Sequence, residues 1–106
     1  IFESPKIVEV LECEYLEGFD YATIKLVFEQ FIDALVKNEL QVDLIYSENQ
    51  NNNSYFQWTN VFASLNSRRA FVESWQTLEV SKEIQSLLLE QSNCQSSSLY
   101  RQYKVL

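Results

Sequence analysis

QVDLIYSENQNNNSYFQWTNVFA, residues 41–63, can be folded on paper in two ways. In the first, Leu40, Val42, Leu44, Ile45 and Tyr46 continue a preceding helix and Asn49–Ser54 is a polar loop. A new helix then starts at Ser54, where Ser54 and Gln57 form an S-x-x-Q capping box and Tyr55, Trp58, Val61, Phe62 and Leu65 share one helical face. In the second, Gln41–Ser47 pairs with Tyr55–Ala63 across the Asn loop as a β-hairpin, which suits the aromatic, Val and Thr content. Hairpins ordinarily draw on glycine and proline, and the chain has one of each, so the helical reading is preferred.

The segment before it supports that preference. Between Asp20 and Leu40, Ile24, Val27, Phe28, Phe31, Ile32, Leu35 and Val36 recur at offsets of three and four, a core-facing stripe on one helix. Asp20 is placed to cap it, and Lys25/Glu29 and Asp33/Lys37 pair across one turn on the opposite face. Toward the N-terminus, Ser4-Pro5 and Gly18 bracket Lys6–Glu17 with the start and stop signals of a helix. Ile7, Val8, Val10, Leu11 and Tyr15 cluster on one side of it. A strand over Lys6–Leu16 competes, but neither face alternates cleanly.

Toward the C-terminus, Phe71, Val72, Trp75 and Leu78 keep helical spacing after Asn66-Ser67, and Ser81 caps a further helix striped by Val80, Ile84, Leu87 and Leu88. Gln91–Ser98 is rich in Ser, Gln and Asn and reads as a linker. The expected architecture is therefore all-α, a compact bundle of about five helices, with α+β and a β-hairpin around 41–63 as the alternative. Its domain plan is a helical domain over 1–91 with an Asn-rich loop at 49–54, a polar linker at 92–98 and a C-terminal segment at 99–106.

The chain has 106 residues, 46% hydrophobic and 14% aromatic, enough for one domain to close a core without staples. Position 1 is not methionine, so the sequence reads as a domain excised from a larger eukaryotic protein. Its formal charge is −7, concentrated in residues 1–48, which carry eleven acids against three bases; residues 49–106 carry four acids and five bases. Such a surface repels phosphate backbones and anionic lipid, so the expected partner is another protein with a basic surface, not nucleic acid. No basic start precedes a long apolar run, so no membrane span is expected.

The two cysteines, Cys13 and Cys94, with no histidine in the chain, cannot complete a structural zinc site, and no metal or cofactor is expected. The mobile look of the stretch around Cys94 favours free thiols in a reducing, intracellular compartment, cytoplasm or nucleus. Without histidine no Ser-His or Cys-His nucleophile pair exists, and one glycine builds neither a P-loop nor a dinucleotide fingerprint. Glu9, Glu12, Glu14 and Glu17 lie close together, but on a helix they form a solvated face. Arg68-Arg69 with Arg101 and Lys104, bordered by Tyr100 and Tyr103, make a small basic patch suited to an acidic group.

Leu26, Phe56 and Leu89 fall off the stripes of their helices and are the candidate partner-binding residues. From these features the expected function is a non-catalytic protein-protein interaction domain, a scaffold or complex subunit. The alternative is a carrier or sensor that encloses a small apolar ligand among Tyr15, Phe28, Phe31, Trp58, Phe62, Phe71 and Trp75.

Overall fold

The computed structural model describes residues 4–106. In chain order the elements are β1 (Lys6–Tyr15), α1 (Tyr21–Lys37), β2 (Asp43–Glu48), β3 (Tyr55–Phe62), α2 (Leu65–Thr77), α3 (Glu79–Gln91) and β4 (Ser92–Gln102). The strands form one antiparallel sheet in the order β2-β3-β1-β4. β1 pairs with both β3 and β4, and the β1-α1-β2 crossover leaves a position that β3 fills. The all-α bundle is thus wrong: the chain is α+β, and residues 41–63 are the two-stranded ribbon.

The physical reason lies in the turn. Glycine is replaced there by asparagine: Asn49 Oδ1 accepts from the amides of Asn51 and Asn52, and Asn52 Oδ1 accepts from the amide of Ser54. These side chains supply the local hydrogen bonds that a tight turn needs, so a shortage of glycine does not forbid a hairpin. Ser54 and Gln57 belong to this ribbon and not to a helix cap. Gln57 Nε2 instead donates to Glu12 Oε1 across the β3–β1 pair.

β1 is likewise a central strand and not a helix. Gly18, with φ of 87°, turns the chain from β1 toward α1 in a conformation that costs other residues strain. The stretch 92–98, read as a linker, lies within β4. Its residues beyond Ser92 are exposed, so backbone pairing with β1 holds it more than side-chain burial does. Cys13 faces Cys94 across that pair, and the two are joined in a disulfide, in place of the expected free thiols.

α1 follows its sequence signals. The Thr23 amide donates to Asp20 Oδ1 at 3.1 Å and the Asp20 amide donates back to Thr23 Oγ1 at 3.0 Å, a reciprocal cap. Ile24, Val27, Phe28, Phe31, Ala34 and Leu35 are its buried positions, a narrower stripe than expected, with Ile32 and Val36 exposed. At its end Asn38 Nδ2 donates to the Ala34 carbonyl and Glu39 turns into the left-handed region.

The core has two joined parts. Ile24 and Phe28 of α1 close over Cys13, Tyr15 and Phe56 of the sheet, while Val27, Phe31, Ala34 and Leu35 meet Ile84 of α3 and side chains of α2, β2 and β3. The three helices therefore cover one face of the sheet, most heavily over β1, β3 and β2. The β4 edge on that face is left open. Among the described residues no helix is long and apolar enough to cross a membrane.

Candidate active site

Strand alternation puts Ile7, Glu9, Leu11, Cys13 and Tyr15 of β1 on the helix-covered face, opposite Phe62, Asn60, Trp58 and Phe56 of β3. Glu9 and Asn60, paired in register, are thus polar groups in the middle of a face that is otherwise packed against helices. A carboxylate in that position needs partners, because burial removes its water. It has them: Asn60 Nδ2 donates to Glu9 Oε1 at 3.0 Å, and the Arg68 guanidinium donates to Glu9 Oε2 at 3.0 Å.

Arg68 reaches Glu9 because α2 starts where it does. Ser64 caps that helix, accepting from the Ser67 amide, which brings residue 68 round to the sheet one turn later. Trp58 Nε1 completes the row by donating to Asn60 Oδ1 at 2.8 Å. An indole only donates and a carboxylate only accepts, so the Asn60 amide has a single orientation that satisfies both neighbours. The Glu9 and Arg68 side chains are 18% and 30% exposed, and Arg68 Nε is buried without a hydrogen-bond partner among the described residues. The view of Glu9 as one member of a solvated acidic face is corrected accordingly.

Beside this polar row the sheet lies open. A cleft of about 470 Å³ is lined by Ile7, Leu65, Leu99, Tyr100, Arg101 and Tyr103. Leu99 is the β4 partner of Glu9 and Arg101 that of Ile7, while Leu65 is one turn before Arg68 on α2, so the cleft lies next to the polar row, whose own side chains do not line it. Inward from it, the rings of Phe62, Phe71, Trp75, Phe31 and Trp58 follow one another at centroid distances of 4.8 to 6.3 Å. The arrangement offers an apolar slot for a flat ring, a guanidinium for a developing anion and a carboxylate for a proton.

A second polar contact lies toward the other end of the sheet, where the hydroxyls of Tyr15 and Tyr46 meet at 2.8 Å. Burial pushes the Tyr15 hydroxyl well above the ordinary tyrosine range, and its bond to Tyr46 pushes the same way. Burial also raises Tyr46, partly offset by its bond from Tyr15. Both phenols stay protonated at neutral pH and serve as a fixed link between β1 and β2.

Of the three residues singled out as partner-binding, two are exposed and one is buried in the core. Leu26 on α1 and Leu89 on α3 are 61% and 62% exposed, whereas Phe56 on β3 is 4% exposed and packs its ring against Tyr15 at 4.6 Å and Tyr46 at 5.2 Å. The polar row was not picked out from the sequence as one site: Arg68 was read into a basic patch, Trp58 into an apolar cavity and Glu9 into a solvated acidic face. The signal that could have joined them is the polar pair Glu9 and Asn60 on the otherwise apolar inward faces of β1 and β3.

No protein-family profile matches the sequence, and no curated protein matches it. Solved structures do share the fold. The cofactor-independent oxygenase SnoaB of Streptomyces nogalater superposes with a TM-score of 0.72 at 11% identity, covering 97% of this chain and 98% of that one. A conserved protein of Methanosarcina mazei Go1 gives 0.69 at 16% identity over 93% and 94% of the two chains. A candidate antibiotic biosynthesis monooxygenase of Deinococcus radiodurans gives 0.66 at 10% identity over 94% and 95%.

These similarities overturn two expectations. The non-catalytic interaction scaffold was deduced from a helical bundle that the chain does not form. The exclusion of enzymes rested on missing histidine and glycine, yet the fold carries at least one oxygenase described as needing no cofactor, a chemistry to which those absences are irrelevant. Over nearly its whole length, the chain has the ferredoxin-like α+β fold of these oxygenase structures.

Proposed function

We propose that the chain is a small oxygenase that acts without a cofactor on an electron-rich, ionisable aromatic compound bound in the cleft between α2 and β4. The observation that carries the proposal is the hydrogen-bonded row Trp58–Asn60–Glu9–Arg68 beside an apolar cleft. The shared fold supports it.

Without a cofactor the substrate itself is the reductant. Dioxygen takes electrons one at a time, and an aromatic anion gives the first far more readily than its neutral parent. The protein must therefore remove a proton, hold the resulting anion and keep water away. Arg68, its side chain 30% exposed, stabilises the anionic oxygen through its guanidinium, and Glu9, with a lone pair beside its bond from Asn60, takes the proton. Trp58 and Asn60 fix the carboxylate in place. In the simplest balanced outcome a ring methylene loses two hydrogens and gains one oxygen atom as a ketone, while the second oxygen atom leaves with those hydrogens as water.

The principal partner in this reading is the small substrate, and no protein or nucleic acid is required. Action inside the cell would need the Cys13–Cys94 bridge to persist against cytosolic thiols, so an oxidising compartment suits the closed bridge better.

Oxygen-electrode traces with a panel of hydroxynaphthalenes, whose keto tautomers carry a ring methylene, test the proposal. Uptake is expected with the unaltered protein, and a fall of about a hundredfold in Arg68→Gln and Asn60→Leu, the size typical for losing one stabilising donor. Uptake that is the same in folded variants and unaltered protein would move the chemistry away from this row.

A further inference from the structure

The cleft does not end at Arg101. Tyr103 also borders a neighbouring hollow of about 380 Å³ lined by Ser4, Lys6, Gln102, Tyr103 and Lys104. Arg101 lines the cleft, while Lys6, one residue from Ile7 and so turned to the other face of β1, and Lys104 border the neighbouring hollow; the three are among the eight basic residues of a chain of formal charge −7. Among the described residues the only ion pairs are Lys37–Asp33 and Arg68–Glu9. Arg101 and Lys104 therefore have no acidic partner among those residues, in a protein whose acids outnumber its bases almost two to one.

Register fixes the spacing between this cationic rim and the polar row. Leu99 pairs with Glu9, and Arg101, two residues further along the same face, pairs with Ile7. Two residues of strand span about 7 Å, roughly the width of a fused aromatic ring. A ring seated over Ile7, Leu65 and Leu99 would then present one edge to Arg68 and Glu9 and the opposite edge to Arg101.

We infer that the substrate is an aromatic carboxylate and that Arg101 holds its acidic group, making Arg101 a specificity-determining residue of the cleft. The inference rests on the cleft being the substrate site proposed above. The guanidinium fork pairs with two oxygens of a carboxylate or a phosphate alike, so the rest of the rim decides for a carboxylate. The rim offers side-chain cations but no glycine-rich cradle of backbone amides, the usual companion of a phosphate. Lys104 and Lys6, which border the neighbouring hollow, add positive potential near this edge without touching the anion.

Calorimetric titration with a hydroxynaphthoic acid and with its methyl ester tests this in the unaltered protein, in Arg101→Gln and in Arg101→Lys. All three proteins should show the same circular dichroism, since Arg101 is exposed on an edge strand. The acid should bind the unaltered protein about tenfold tighter than the ester, the size expected for one charge-assisted pair. Arg101→Gln should erase that preference and leave ester binding unchanged, Arg101→Lys should keep part of it, and added salt should shrink it. Equal binding of acid and ester, a preference that survives in Arg101→Gln, or binding of neither compound overturns the inference. Oxygen uptake recorded with the same acid separates the two claims. A preference that follows Arg101 without uptake upholds the anion site and removes the oxygenase reading alone.

Discussion

The carboxylate of Glu9 and the guanidinium of Arg68 meet at 3.0 Å although 59 residues separate them in the chain. Glu9 stands in the middle of a central strand and Arg68 one turn into α2, so this contact ties the sheet to the helix above it. Removing either partner leaves the other charge half-buried and unpaired. Glu9→Gln is expected to cost about 1–2 kcal/mol, less than a fully buried pair because both side chains keep some water. In urea titrations the double variant Glu9→Gln/Arg68→Gln should lose less than the two single losses added together, with a coupling of about 1 kcal/mol.

The Tyr15–Tyr46 link carries a pH dependence of definite sign. Both hydroxyls hold their protons more tightly in the folded chain than in the unfolded one. Stability from this source is fully present below the unfolded tyrosine value of about 10 and is lost as pH rises above it. Urea midpoints measured from about pH 8 to 11 should therefore be flat and then fall, and Tyr15→Phe should flatten the fall while lowering the plateau by about 1 kcal/mol.

The disulfide closes a loop over a sequence separation of 81, and it anchors the exposed edge strand β4 to β1. Chain-entropy reasoning gives about 4 kcal/mol as the stabilisation from such a closure. Thermal melts with and without a strong thiol reductant should show a clear drop in midpoint for the unaltered protein. Cys94→Ser should melt at the lower temperature under both conditions.

The residues that stray from helical stripes divide by burial. Leu26→Asp and Leu89→Asp change exposed positions and should stay within about 0.5 kcal/mol of the unaltered protein. Phe56→Asp places an unpaired charge among Tyr15, Tyr46 and the helices and should abolish folding, as judged by circular dichroism.

Helical periodicity was legible where one face alone meets the core. α1 begins at its Asp20 cap, and Ile84, Leu87 and Leu88 of α3 lie in the core as their spacing implies. The strands were not legible, for reasons that differ by strand. β1 and β3 hide their alternation twice over: Glu9 and Asn60 are polar residues turned inward to meet each other and Arg68, and Val8, Val10, Tyr55 and Val61 are apolar residues on the other face. The polar residues of the candidate site are thus among those that break the pattern. β4 carries Ser and Gln because almost none of it is buried, and its pairing with β1 leaves no mark on composition. The Asn turn hid the hairpin by doing the work of glycine with side chains. Arg68, Arg101 and Lys104 were visible as a basic patch, but only the fold separates Arg68, bound to Glu9, from Arg101 in the cleft and Lys104 at the neighbouring hollow.

Turnover under isotopically labelled dioxygen, with chelator-treated protein and no added flavin, metal or nicotinamide, tests the proposed chemistry most directly. Mass spectrometry should find one labelled oxygen atom in the aromatic product, with one dioxygen consumed per product formed. Product oxygen drawn from water, or turnover that starts only when a cofactor is supplied, would contradict cofactor-independent oxygenation at the Glu9–Arg68 cleft.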